Sequence, residues 1–265
     1  STGHIERKAA VAYLNQPHQI EPKKLLLVPA GRDGVYALGS KTMTPVWQSK
    51  TGHVDASPIA DDQNVYFGTG VEKGFEDTEA HVVAVDLATG TTRWKKSIPT
   101  SSWGIPVLWK NLVCFGIGDV YKSTNYGQFS CYDRKTGEQD LAINTDGALI
   151  SEPTLVKDHV LLADVHGVIY QLNLIEKKID WKIQTPSAKL SYASVFVDQE
   201  DRLFLPSDDG LLIFSRKTQD LLYQWKYPAA HKKPWKKPYT NILAYQDLWI
   251  LADGHGEIWG LRPLY

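Results

Sequence analysis

The sequence predicts an all-β protein, a six-bladed β-propeller built from four-stranded antiparallel blades. Three observations support this fold: a recurring eleven-residue pattern, its regular spacing, and the absence of any long helical pattern. The pattern is clearest from Ala84 to Trp94, and partial copies start at residues 37, 131, 171, 213 and 260. A period of about 40 to 45 residues with several short strands per unit is typical of propeller blades.

Each element of a unit follows from local sequence. Short runs of β-branched and aromatic residues are separated by turn residues, and for the second unit they predict strands at 54–60, 64–69, 80–86 and 91–97. The Thr-Gly pair of the pattern lies between two strands, where Gly supplies the positive φ of a tight turn. The large residue four positions after that Gly should wedge between neighbouring blades. These residues are Trp47, Trp94, Leu141, Trp181 and Tyr223.

The repeats divide the whole chain, residues 1–265, into one propeller domain. Blades are predicted to start near residues 9, 54, 102, 148, 190 and 238. The sixth unit stops at Tyr265 before its outer strand. Since residues 1–8 align with the outer strand of the second unit, we expect the N-terminal strand to complete the last blade and close the ring.

Composition excludes several classes of function. A formal net charge of -1 gives no electrostatic case for wrapping nucleic acid, and no apolar stretch is long enough to span a membrane. No secretory signal peptide is visible in the sequence. The two cysteines, Cys114 and Cys131, fall on adjacent middle strands of the third unit. One interpretation is a disulfide across the two strands. The preferred interpretation is that the cysteines are two small buried thiols.

Short Asp/His/Gly turns recur at residues 32–34, 164–167, 208–210 and 253–256, with His166 and His255 in matching places. Paired Asp-His motifs raise a metal or acid-base hypothesis. Hairpin turns explain the same residues, because Gly takes positive φ and Asp bonds its own backbone. Repetition around the ring favours the turn interpretation, so no metal site and no catalytic residue is predicted.

Three long loops depart from the repeat and are the candidate binding surface, since loops carry binding while the repeat carries packing. They are 68–80, which is acidic, 116–127, and 227–239, which is basic and aromatic. Strand topology predicts that they open on one face as a docking surface for a protein or peptide, while a solvated loop without function is the alternative. The predicted partner-binding residues are Trp103, Tyr121, Tyr126, Lys232, Lys233, Trp235, Lys236, Lys237, Glu72, Glu76 and Asp77.

The pattern Ala-x-Asp-x-x-Thr-Gly-x-x-x-Trp, intact at residues 84–94, resembles the repeat of propellers similar to pyrroloquinoline quinone (PQQ) enzymes. That superfamily contains quinoprotein alcohol dehydrogenases and BamB, a scaffold lipoprotein of the bacterial outer-membrane assembly machinery. Dehydrogenases of the family imply a vicinal Cys-Cys disulfide and a calcium site, and this sequence has neither pattern. The resemblance therefore implies a bacterial envelope setting, in the periplasm. We expect a non-catalytic scaffold that acts as a monomer without cofactor, with peripheral membrane association left open.

The alternative from a different class is an enzyme or sensor that binds a small molecule or a quinone in the central channel. It predicts a ligand-dependent melting temperature or a cofactor absorption band. The scaffold hypothesis predicts instead that substitutions on the loop face abolish binding of a partner.

Overall fold

The computed structural model of the chain describes residues 9–14, 23–71, 79–119, 125–186, 193–207, 210–227, 241–245, 248–252 and 257–262. Every regular element in these ranges is a β-strand, and the strands form six antiparallel sheets, which confirms the predicted all-β class. The chain divides into two compact units, Ser1–Ile150 and Ser151–Tyr265. Within the described residues no helix is long and apolar enough to cross a membrane.

The first unit holds three four-stranded sheets, called blades 1 to 3, in which strands adjacent in sequence pair with each other. Blade 1 comprises β1 (Ala10–Leu14), β2 (Lys23–Pro29), β3 (Val35–Gly39) and β4 (Pro45–Ser49). Blade 2 comprises β5 (Ile59–Ala60), β6 (Asn64–Gly68), β7 (Ala80–Asp86) and β8 (Thr92–Ile98). Blade 3 comprises β9 (Val107–Trp109), β10 (Leu112–Gly118), β11 (Gly127–Asp133) and β12 (Gln139–Thr145).

The second unit holds blades 4 to 6. Blade 4 comprises β13 (Thr154–Val156), β14 (His159–Ala163), β15 (Val168–Asn173) and β16 (Lys178–Gln184). Blade 5 comprises β17 (Phe196–Val197), β18 (Arg202–Ser207), β19 (Gly210–Ser215) and β20 (Leu221–Lys226). Blade 6 comprises β21 (Leu243–Tyr245), β22 (Leu248–Ala252) and β23 (Ile258–Leu261).

The predicted strands of blade 2 agree with the structure except at the start. The middle and outer strands match within one residue, but β5 covers only residues 59–60 of the predicted 54–60. The preceding residues instead form a connection in which Val54 makes an isolated bridge to Gly31 of blade 1. Residues 1–8, which we expect to complete the last blade, lie outside the described residues, so closure of the ring stays a prediction, as does the single-domain assignment.

The eleven-residue pattern corresponds to one hairpin geometry. In all five copies described, the pairing between third and outer strands shifts by one residue after the first position of the pattern, as at Ala84/Val85. Its seventh position always has positive φ, whether it is Gly or a larger residue. The residues at that position are Met43, Gly90, Gly137, Lys177 and Gln219.

Middle strands are buried on both faces, and alternate residues serve different blade interfaces. In blade 2, Phe67 and Val83 pack in a cluster with blade 1, while Tyr66 and Val82 pack in a cluster with blade 3. The period of two side chains along each strand therefore supplies both interfaces of a central blade.

Two of the predicted wedge residues, Trp47 and Trp94, are confirmed between blades of the first unit. Trp47, Trp94 and Leu141 are buried, and the indole Nε1–H of Trp47 donates to the carbonyl oxygen of Leu87 at 2.9 Å. In the second unit Trp181 is half-buried. The prediction is wrong for Tyr223, which is 56% exposed on the outer strand of blade 5.

Candidate protein-binding site

One end of the first unit brings together the bases of two predicted binding loops. Gly70, at the start of the loop in blade 2, donates its N–H to the carbonyl oxygen of His53 at 2.9 Å. Gly118, at the start of the loop in blade 3, donates in the same way to Ser101 at 2.8 Å. His53 and Ser101 lie in the connections that lead into β5 and β9. The loops 68–80 and 116–127 therefore begin at the same end of the unit as these connections.

A buried polar cluster joins the two loop bases. Ser101 Oγ accepts the backbone N–H of Val71 at 3.0 Å and lies 3.5 Å from Oδ2 of Asp119, to which its hydroxyl donates. Ser101 and Asp119 are almost completely buried. Because buried polar groups are stable only when they are hydrogen-bonded, this cluster holds the backbone near the start of one loop against the side chain of Asp119 near the start of the other.

Trp103 lies at this end of the unit, but it is only 9% exposed. Its ring meets the ring of His53 edge-on, with 5.9 Å between centroids, and His53 in turn lies 2.8 Å from Oδ1 of Asp55. A Cβ on Gly70 would come within 1.9 Å of the Trp103 ring. Trp103 therefore lies near the loop bases as a largely buried side chain, and its role in binding a partner stays a prediction.

Tyr126 lies at the end of the loop in blade 3 and is half-buried. It packs against the apolar cluster between blades 2 and 3, and burial raises the pKa of its phenol. Near the end of the loop in blade 2, Glu79 is largely exposed and lies 3.4 Å from Nε2 of His81. The remaining predicted binding residues lie outside the described residues. They are Glu72, Glu76, Asp77, Tyr121, Lys232, Lys233, Trp235, Lys236 and Lys237.

A disulfide joins the two strands that carry the loop of blade 3. Cys114 on β10 and Cys131 on β11 face each other in the strand register, with Cα atoms 4.0 Å apart, and their sulfur atoms are bonded. Both residues are fully buried. The preferred interpretation of two free thiols is therefore wrong, and the cross-strand bridge is correct. The sequence placed the pair on adjacent strands but did not fix the register, which decides whether two cysteines can bond.

The Asp/His/Gly turn in blade 4 is a structural turn. Asp164 is buried, and its Oδ1 accepts the N–H groups of His166 and Val168 while its Oδ2 accepts the hydroxyl of Tyr170 at 2.8 Å. These hydrogen bonds of the Asp164 carboxylate all lie within the hairpin. In the part of the chain that the structure describes, no group of three His, Cys, Asp or Glu residues is placed to hold a metal ion. His255 lies outside that part.

Comparison with known proteins decides the family. The model of the family described as outer membrane protein assembly factor BamB matches residues 78–233, which is more than half of the chain. The chain belongs to the BamB family. Among curated proteins, none matches the sequence significantly.

Solved structures similar to this BamB-family chain confirm the β-propeller fold. BamB from Moraxella catarrhalis aligns with a TM-score of 0.66 at 17% identity, covering 97% of this chain and 72% of that one. The computationally designed protein Ika8 aligns with a TM-score of 0.68 at 12% identity, covering 96% and 71%. Quinohemoprotein alcohol dehydrogenase ADHIIG from Pseudomonas putida HK5 aligns with a TM-score of 0.67 at 12% identity, covering 93% of this chain and 53% of that one.

The described residues do not fit the quinone site that the enzymes of this superfamily imply. Such a site calls for a disulfide between adjacent cysteines and a carboxylate-bound metal ion. Here the bonded cysteines are 17 residues apart on two strands and are buried inside blade 3.

Proposed function

We propose that this BamB-family chain is a non-catalytic protein-binding propeller that acts as an assembly scaffold in the bacterial cell envelope. The observation that carries the proposal is the family match over residues 78–233. The partner binds on the loop face formed by 68–80, 116–127 and 227–239. Membership in a family named for outer membrane protein assembly makes a protein the expected partner.

The anchored loop bases support binding at this face. Two buried hydrogen bonds hold the starts of the two loops. One runs from Val71 to Ser101 and the other from Ser101 to Asp119. A surface whose supporting backbone is already ordered loses less conformational entropy when a partner binds. Glu79 adds an exposed carboxylate next to the acidic loop, which favours a partner with basic groups at that position.

The disulfide supports a location outside the cytoplasm. Structural disulfides form and persist in oxidising compartments, which include the bacterial periplasm, and are rare in the cytosol. The Cys114–Cys131 bridge is therefore the feature of this chain itself that agrees with an envelope location.

A small-molecule or quinone-binding function is the second candidate, favoured by the similarity to quinohemoprotein alcohol dehydrogenase. This function requires a ligand bound in the central channel rather than a protein partner. Titration of the purified chain with PQQ and Ca²⁺ distinguishes the two, because a bound quinone adds an absorption band and raises the melting temperature. Neither change is expected under the scaffold proposal.

The main test is binding from envelope extract, followed by reconstitution with the purified partner. The test variant combines Trp235→Ala with charge reversal of Lys232, Lys233, Lys236 and Lys237 in the basic loop. The control is K95E/K135E, because Lys95 and Lys135 are exposed and lie on β8 and on the turn before β12, away from the loop bases. We expect the test variant to lose the partner and the control to keep it. Equal binding by both variants would remove the basic loop from the proposed site.

A further inference from the structure

The outer strand of blade 5 has an exposed apolar edge. β20 is the last strand in the order β17-β18-β19-β20, so one of its edges carries no strand within the described residues. Its first three residues, Leu221, Leu222 and Tyr223, are 43%, 53% and 56% exposed. Consecutive exposed apolar residues on a sheet edge indicate a surface that pairs with another strand.

Two of the other outer strands, β8 and β16, carry several charges that oppose such pairing, whereas β4 carries none and β12 carries only Asp140. β8 contains Arg93, Lys95 and Lys96, and β16 contains Lys178 and Lys182 among its seven residues. Charged edges resist pairing because a second strand would bury or repel the charges. The six residues of β20 include a single charge, at its last position, Lys226.

The charges at the ends of β20 make the strand self-complementary. Asp220 immediately precedes the strand and Lys226 ends it, and both are exposed. When two antiparallel copies pair with Tyr223 opposite Tyr223, Asp220 of each copy faces Lys226 of the other, and Leu221 faces Trp225. Opposite charges directly across a strand pair stabilise it. We propose that two copies of the chain associate by antiparallel pairing of β20 with β20, in the register centred on Tyr223.

An apolar groove beside the strand gives the partner copy further surface to bury. The groove has a volume of about 270 Å³. Its lining includes Ile213, Leu222, Tyr223, Trp225 and Trp249. One pair of six-residue strands buries less surface than the roughly 1,600 Å² of a standard interface, so the dimer is weak and concentration-dependent.

Sedimentation velocity of the full chain over a wide concentration series tests the proposal. We expect wild type to shift from monomer to dimer as concentration rises. The variants D220K and K226D each place like charges across the pair twice, and we expect each to raise the dissociation constant roughly tenfold. The double variant D220K/K226D restores opposite charges and should recover the wild-type constant. An equimolar mixture of the two single variants should form a mixed dimer more readily than either variant alone.

Two controls keep the result interpretable. K95E, on the exposed face of β8, changes the net charge as K226D does and should leave association unchanged. Circular dichroism melting of every variant identifies any loss of fold, and both charged positions are exposed, so we expect none.

A wild type that stays monomeric throughout the series overturns the proposal. So does a dimer that D220K and K226D do not weaken, because the register then has no role. Binding of lipid vesicles or of another protein through Leu222, without self-association, would also overturn it.

Discussion

The indole of Trp94 in blade 2 lies against Gly137 of blade 3, and its Nε1–H donates to the carbonyl oxygen of Arg134 at 3.0 Å. Trp47 of blade 1 has the same relationship to Gly90 of blade 2. The Gly and Trp of the repeat are thus partners across a blade interface. The turn itself accepts larger residues, as Lys177 and Gln219 show at the same position with positive φ.

Replacing Gly137 with Ala should destabilise the first unit by about 2 to 4 kcal/mol. A Cβ there would lie 2.7 Å from the Trp94 ring, and Ala is also disfavoured at a φ of 71°. Urea unfolding followed by tryptophan fluorescence measures the change. Gln219→Ala is the matched control, since that position already carries a Cβ at a φ of 66°, and it should be nearly neutral.

The same pair allows a double-mutant cycle. Trp94→Ala alone should cost about 3 to 5 kcal/mol because it leaves a cavity in the blade interface. In that background Gly137→Ala no longer meets the ring, and only the backbone cost of about 1 kcal/mol remains. Additive effects would contradict the contact, because residues in contact are expected to couple.

The disulfide should stabilise blade 3 and be inaccessible to thiol reagents in the native state. Replacing both Cys114 and Cys131 with Ala should lower the free energy of unfolding by about 3 kcal/mol, since the bridge closes a loop with a sequence separation of 17 residues. Thiol titration of denatured, non-reduced protein should find no free thiol. Two free thiols would show that the bridge does not form.

Reductant provides a second measurement for the bridge. Dithiothreitol should lower the melting temperature of wild type, because unfolding exposes the bond, and should not change that of the Ala double variant. A wild-type melting temperature that reductant leaves unchanged would contradict a stabilising role.

Much of the fold was predictable because the repeat marks turns, and turns mark strand ends. The pattern at 84–94 located the outer hairpins, and it also predicted Trp47 and Trp94 as wedges. Tyr223 was not predictable in this way, because its burial depends on what packs beside β20 rather than on its place in the repeat. The repeat also did not predict the strand register that joins Cys114 to Cys131, since adjacent strands permit several registers.

The turn aspartate of blade 3 should make stability depend on pH. Hydrogen bonds from the backbone N–H of Thr136 and from the side chain of Asn111 lower the pKa of Asp133 below its ordinary value. The folded pKa is therefore below the unfolded value of about 3.9, so the ionised carboxylate stabilises the fold. This contribution is complete above the unfolded pKa and is lost as pH falls through the folded pKa.

Asp133→Asn tests this dependence because its amide oxygen can accept the backbone bonds of Lys135 and Thr136 without the charge, while its amide nitrogen cannot accept the bond from Asn111. Wild type should be more stable than the variant at neutral pH, and the difference should disappear in acid. The free energy of unfolding of both proteins, measured from neutral pH down to about pH 2, gives the comparison. Parallel curves throughout would mean that the charge of Asp133 has no effect.

The sequence predicted which two loops have their bases together in the first unit, whereas binding of a partner there stays a prediction. Loops that depart from the repeat were found by length and charge, and the bases of 68–80 and 116–127 meet at one end of the first unit. The buried contacts of Ser101 and Asp119 were missed, because Ser and Asp in loops carry no signal for burial. Trp103 was predicted as a partner-binding residue from its type and its place on the connection into blade 3, while its surroundings of His53 and Gly70 depend on tertiary packing.

Trp103→Ala should therefore lower stability rather than act as a clean binding variant. Loss of a ring that packs on His53 and covers Gly70 should cost about 3 to 5 kcal/mol, whereas Trp103→Phe should cost less because it keeps an aromatic edge against His53. Gly70→Ala should be strongly destabilising in wild type and milder in the Trp103→Ala background, because the clash at 1.9 Å is then absent. Unfolding of the four proteins in urea measures this coupling. If Trp103→Ala instead unfolds like wild type, the ring does not support the loop bases, and its loss can be used directly to test partner binding.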